Sequence, residues 1–131
     1  GRDKDEKGGI AFVKFFIDQV NESYTTPRDD LIPALSDPEC ISCAELQKYA
    51  EQYVASQSRT SAAPYSVTNV KWLGEQTAGV FIVSLTFRTA PVDTIDSAGK
   101  VVSTYESDSV KRRIGVTWKE GQWVVYGAAS V

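Results

Sequence analysis

The chemistry open to this chain is bounded first by what it lacks: its 131 residues include no His and no Met, and its two Cys stand three apart in Cys40-Ile41-Ser42-Cys43. Without imidazole there is no Ser-His or Cys-His nucleophile pair, no imidazole general base and no His-ligated zinc. The CxxC motif admits three chemistries. A thioredoxin-like redox pair needs the motif at a helix start that follows a strand, where the helix dipole lowers the first thiol's pKa. Here a helical segment precedes it. A zinc site needs four ligands, and neither a third Cys nor a His is present to supply them. A local disulfide between Cys40 and Cys43, fastening a loop to the start of a helix, is the favoured reading. So small a ring contributes only about 2 kcal/mol, but such bridges persist outside the reducing cytosol.

Carboxylates and tyrosines are what remains for catalysis, in the manner of ketosteroid isomerase, where a carboxylate works beside a Tyr in an apolar pocket. The candidates are Asp18 and Glu22, one helical turn apart, with Asp30, Glu106 and Asp108. Their placement off the apolar pattern suits solvated charges better, and no spacing pairs any of them with a Tyr. Binding without catalysis needs only an apolar pocket and a few polar groups. Tyr24, Tyr49, Tyr53, Trp72, Phe87, Tyr105 and Trp118 could line such a pocket, although each also suits a core position. Arg112 is the polar residue to watch, because strand alternation puts it on one row with Val110, Ile114, Val116 and Trp118. On a core-facing row it must pair with a carboxylate, reach a pocket mouth or face a ligand anion. Lys111 and Arg113 fall on the opposite row. That splits the single basic cluster, and with a net charge of −3 and a pI near 4.9 no nucleic-acid partner is expected. No cofactor and no metal is expected either.

The elements that must position these residues fall into two halves. Phe12, Val13, Phe16, Ile17, Val20 and Tyr24 recur at three- and four-residue steps, predicting an amphipathic helix from Ile10 to Tyr24. Before it, residues 1–9 carry mixed charges and end in Gly8-Gly9, which suits a flexible lead-in. Thr26 as N-cap and Pro27 at the first helical position open a second, short helix over Leu31, Ile32 and Leu35, cut off by Pro33. Ser42-Cys43-Ala44-Glu45 fits a capping box for a third, continuing through Leu46, Tyr49, Ala50, Tyr53 and Val54 to about Ser58. Everything afterwards alternates. Four antiparallel strands are predicted at 65–75, 78–90, 100–118 and 122–129, with the Asp96-Ser97-Ala98-Gly99 turn joining the second to the third as a long hairpin. The second and fourth are apolar on both faces, so a covered outer face is expected, through sheet curling or a homodimer. Residues 10–131 thus form one α+β domain, three N-terminal helices packed on a four-stranded sheet. Asn21-Glu22-Ser23 matches a glycosylation sequon but lies inside a predicted helix.

Taken together, the run Ala11-Phe12 through Asp18, Asn21 and Tyr24, then Asp30-Leu31 to Leu35-Ser36, Pro38-Glu39-Cys40-Ile41-Ser42-Cys43 and the Gln122-Trp123-Val124-Val125 ending resembles an actinobacterial lipoprotein family of unknown function. The resemblance implies a nuclear-transport-factor-2-like cone, also called cystatin-like, in which a curved sheet wraps a long helix and the mouth often holds a small ligand. It also implies an upstream signal peptide, a lipidated Cys and a polar tether, in keeping with the missing Met. The expectation is a cell-surface, lipid-anchored domain that binds a small ligand or a protein without catalysis. An isomerase- or dehydratase-like enzyme and a purely structural homodimer are the alternatives.

Overall fold

The Asp5 carboxylate accepts the Gly8 amide at 2.7 Å, closing an N-cap that starts the first helix ahead of its apolar stripe. The computed structural model describes residues 4–130, and in it α1 runs over Glu6–Thr25. The stretch expected as a flexible lead-in is therefore helical from Glu6, while residues 1–3 lie outside the described residues. Gly8 and Gly9 are buried on this helix. Gly9 serves close packing: a Cβ there would stand 2.3 Å from Cζ3 of Trp72. The predicted stripe is buried, with Val13, Val20 and Tyr24 fully excluded from solvent.

No helix follows at Pro27. Thr26 ends α1 by giving its amide to the Glu22 carbonyl, and the chain turns until a single 3-10 turn at Pro33–Leu35. The second predicted helix is thus corrected to that turn. Helix α2 covers Ile41–Ser56, and its N-cap is Cys40, whose Sγ accepts the Cys43 amide at 3.1 Å, not Ser42 as the capping-box pattern suggested. Gln57, in the left-handed region at φ 57°, ends it before the predicted Ser58.

Seven strands follow: β1 Arg59–Thr60, β2 Tyr65–Thr77, β3 Val80–Thr89, β4 Asp93–Ile95, β5 Val101–Thr104, β6 Asp108–Lys119 and β7 Gln122–Ser130. They make two antiparallel sheets, one in the order β2-β3-β6-β7 and a small one in the order β1-β4-β5. The expectation of three helices on a four-stranded sheet is corrected to two helices and two sheets of four and three strands. The predicted long strand at 100–118 is broken at 105–107, so the Asp96 to Gly99 turn joins β4 to β5 as a side hairpin. Strands β3 and β6 pair directly in register from Val80↔Thr117 to Thr89↔Asp108.

Both helices contact the four-stranded sheet, α1 chiefly through β2 and α2 through β7. The core lies between, where Phe12, Phe16 and Val20 meet Val83, Leu85, Ile114, Val116, Trp123 and Val125. Register shifts along β2 and at Gly115/Val116 bend the strands. The free edge of β7 is capped by the segment after the 3-10 turn: Ser36 bridges Val125 in parallel, and the Asp37 amide reaches the Val125 carbonyl at 2.8 Å.

Candidate functional site

A cavity of about 240 Å³ opens where the two helices meet the inner face of the sheet. Phe16 and Ile17 of α1 form one wall, the spacing-related Ser42, Glu45, Leu46 and Tyr49 of α2 a second, and Phe87, Arg112, Ile114, Val125 and Ala128 of β3, β6 and β7 the floor. Helical periodicity puts the α2 residues on one face, and strand alternation aligns Arg112 with Ile114. Glu45 is exposed and Tyr49 is 50% exposed, which marks the mouth on the α2 side. The Cys40–Cys43 disulfide, with Cα atoms 5.2 Å apart, lies directly behind that wall; both Cys are buried and Cys43 itself lines the cavity.

Of the residues predicted to line a pocket, three lie on the cavity: Tyr49, Phe87 and Arg112. Three more build an aromatic network beside it. Tyr24 is fully buried, gives its hydroxyl to the Leu46 carbonyl at 2.8 Å, and meets Tyr53 edge-on at 5.3 Å between ring centroids. The hydroxyls of Tyr53 and Tyr105 share a hydrogen bond of 2.5 Å, which fastens α2 to the loop after β5. Trp72 and Trp118 stand elsewhere, packed around Trp123 with ring centroids 6.1 and 5.2 Å away.

Sequence reasoning missed Tyr65, which links the network together through Tyr24, Phe87 and Tyr105. The signal lay in the sequon itself: the Asn21 side chain gives Nδ2–H to the Tyr65 carbonyl at 2.8 Å and accepts the Tyr65 amide at 3.1 Å. The amide of Asn21 is thus a clamp between α1 and β2. Burial raises the Tyr65 phenol to about 12, and the neighbouring Tyr53 and Tyr49 add to it. Tyr24 and Tyr105 are raised further, again chiefly by burial, with the Tyr53 hydrogen bond second at Tyr105. These phenols are held neutral and serve as packing and hydrogen-bonding groups.

The carboxylates considered for catalysis do not converge here. Asp18, Glu22, Asp30, Glu106 and Asp108 are all exposed and none lines the cavity. Asp30 pairs bidentately with Arg28 on the surface. The buried carboxylate is Asp37, 6% exposed, which takes a short hydrogen bond from Lys119 on the far side of the β7 edge. Among the described residues no helix is long and apolar enough to cross a membrane.

Solved structures with this architecture share little sequence with it. The intermembrane-space region of the chloroplast protein ARC6 superposes with a TM-score of 0.70 at 10% identity, covering 98% of each chain. An NTF2-type chain, Rd1NTF2_05, gives 0.57 at 13% identity over 97% of this chain and 100% of its own. An uncharacterised protein with a cystatin-like fold from Caulobacter vibrioides gives 0.54 at 8% identity over 93% and 87%. At such identities the likeness shows the fold alone, an α+β architecture of the NTF2 and cystatin-like kind. No curated protein matches the chain. A family model described as "Family of unknown function (DUF6318)" matches residues 1–129, and the chain accordingly belongs to that family.

Proposed function

We propose that this is a non-catalytic binding domain that holds a small, mostly apolar ligand at the mouth of its cone. The observation that carries the reading is the cavity of about 240 Å³ left open between α2 and the inner sheet face, beside an aromatic network that fills the neighbouring space but not this one. It far exceeds the roughly 30 Å³ share of one water and falls below the roughly 300–1,000 Å³ of drug-sized sites, which sets the scale of the ligand. Its polar lining groups, Ser42, Glu45, Tyr49 and Arg112, are few beside apolar walls, the composition of a binding pocket. The single carboxylate on the lining, Glu45, stands exposed at the rim and not inside the apolar pocket. The reading places the domain outside the cytoplasm, held to the cell surface by a lipid anchor upstream; the Cys40–Cys43 bridge supports an oxidising compartment.

The test is binding of the apolar fluorophore ANS, followed by its displacement with short-chain alcohols and carboxylic acids. Saturable binding is expected, and Ala128→Phe, which lays a ring across the floor from an exposed backbone position, abolishes it while leaving the thermal midpoint in place. An ANS signal absent from the folded protein, or unchanged in Ala128→Phe, defeats the reading.

A further inference from the structure

The outer face of the four-stranded sheet, turned away from both helices, carries a separation of charge that the sequence disguises. Lys111 and Arg113 project there from β6, which pairs on both sides and is not an edge strand. Register brings Lys71 of β2 into the same patch, because Lys71 pairs with Ser84 and Ser84 pairs with Arg113. Arg88 extends it along β3, opposite Ser66 and Ser109. All four cations are exposed, and between them stand neutral polar residues, Thr68, Ser84 and Thr86 with Asn69, whose side-chain amide reaches the Thr86 hydroxyl at 3.3 Å. The outward rows of β2, β3, β6 and β7 contribute no Asp or Glu; the Arg28–Asp30 pair lies off this face, and Lys119 meets Asp37 at the far end of the β6 row, away from Lys111 and Arg113. A basic face on a chain of net charge −3 is a local excess, not a reflection of composition.

The same face turns apolar one rung further along. Gly115, buried and paired with Gly127, floors a hollow walled by Leu73, Ile82 and Tyr126. Leu73 and Tyr126 are 39% and 45% exposed, and a Cβ on Gly127 would meet nothing within 4 Å. Lys111, Arg113 and Gly115 follow one another at two-residue steps on β6, roughly 6.6 Å apart. That is also the repeat of side chains on one face of an extended peptide.

We propose that this outer face docks an extended acidic segment of a partner protein, its carboxylates on Lys71, Lys111 and Arg113 and a following apolar side chain in the hollow over Gly115. Charge complementarity selects the occupant. A second copy of this chain would bring an identical face without carboxylates, setting cations against cations or against the apolar hollow. An anionic lipid surface or nucleic acid offers negative charge, but the remaining net negative charge of the domain opposes approach to an extended polyanion. A short peptide reaches the patch without meeting that charge. The site is on the opposite side of the sheet from the cavity and stands independently of it.

The experiment is fluorescence anisotropy with a labelled peptide, Glu-Ser-Glu-Ser-Leu-Ser-Phe-Ser, whose alternate residues present two carboxylates and then two apolar groups to one side. Saturable binding is expected, weakened roughly tenfold or more by the paired reversals Lys111→Glu and Arg113→Glu and by added salt. Ile82→Ser weakens it less, through the hollow alone. Circular dichroism checks that the variants fold, and Lys71→Glu alone reads the same patch from another strand should the double reversal not fold. An absence of saturable binding, or affinity untouched by the reversals, overturns the proposal. So does sedimentation with phosphatidylglycerol vesicles in preference to peptide, or a dimeric mass by light scattering that Lys111→Glu and Arg113→Glu dissociate, since each assigns the face to a different occupant.

Discussion

The Sγ of Cys40 is bonded to Cys43 and at the same time accepts the Cys43 amide, so one atom both closes the ring and caps α2. The two contributions separate by substitution. Cys40→Ser with Cys43→Ala removes the bridge but keeps an oxygen able to cap, whereas Cys40→Ala with Cys43→Ala removes both. The first pair is expected to be about 1 kcal/mol more stable than the second in urea unfolding, with equal midpoints counting against a capping role. Intact mass should also rise by two hydrogens when the wild type is reduced and unfolded. The disulfide itself was legible from the spacing of the Cys and the absence of other ligands. The cap was not, because sulfur is a weak acceptor and the Ser42-to-Glu45 pattern two residues later offered a stronger textual match.

Helix α1 and strand β2 approach each other over Gly9, where the Trp72 ring occupies the place of a side chain. In an isolated helix Gly9→Ala would gain up to about 1 kcal/mol from propensity. Here the added methyl meets a ring stacked on Phe81 at 5.5 Å and set edge-on to Trp123, so it cannot move freely. A net loss of roughly 1–3 kcal/mol is expected, together with a changed Trp emission spectrum; a stabilised Gly9→Ala would mean the ring yields. Elements were legible where periodicity was long, as in α1, α2 and the paired strands β2, β3 and β7. They were lost where short signals competed. Thr26-Pro27 has the composition of a helix start, but Thr26 is still finishing α1 through the Glu22 carbonyl. The stretch 91–99 carries the composition of a connection and 100–107 that of the start of a long strand, yet β4 and β5 form a hairpin there that pairs across to Arg59 and Thr60, residues whose distance in sequence hides the partnership. The candidate site was legible as rows of side chains but not as a volume, because which aromatics fill space and which border it depends on the packing of α2 against the sheet.

The molecule as a whole has a stability window set at its two ends by different groups. Asp37 is held below the usual carboxylate range, first by the hydrogen bond from Lys119 and then by the Glu39 amide. A lowered folded pKa adds stability above the ordinary carboxylate value, and that stability is lost as pH falls through the folded one. At the alkaline end the phenols of Tyr65, Tyr24 and Tyr105 are raised by burial. Their contribution is complete below the ordinary Tyr value near about 10 and drains away as pH climbs through the folded values, about 12 for Tyr65. Denaturant midpoints measured across pH should therefore form a plateau that falls at both ends. Asp37→Asn is expected to flatten the acid limb, and the tyrosinate absorbance lost in Tyr24→Phe, Tyr65→Phe and Tyr105→Phe to be the part that appears with unfolding instead of ahead of it. Ionisation of those three phenols in the folded protein ahead of unfolding would contradict the buried network. The two borders of the main sheet also bear on behaviour in a crowd. Ser36 and Asp37 occupy the rim of β7, while β2 is broken by register shifts with Asn69 turned into left-handed backbone at φ 53°. Neither rim offers a straight ladder to an incoming chain, so growth of a fibril by adding strands to the four-stranded sheet is opposed at both ends, and neighbours that meet at those two rims are left to side-chain contacts.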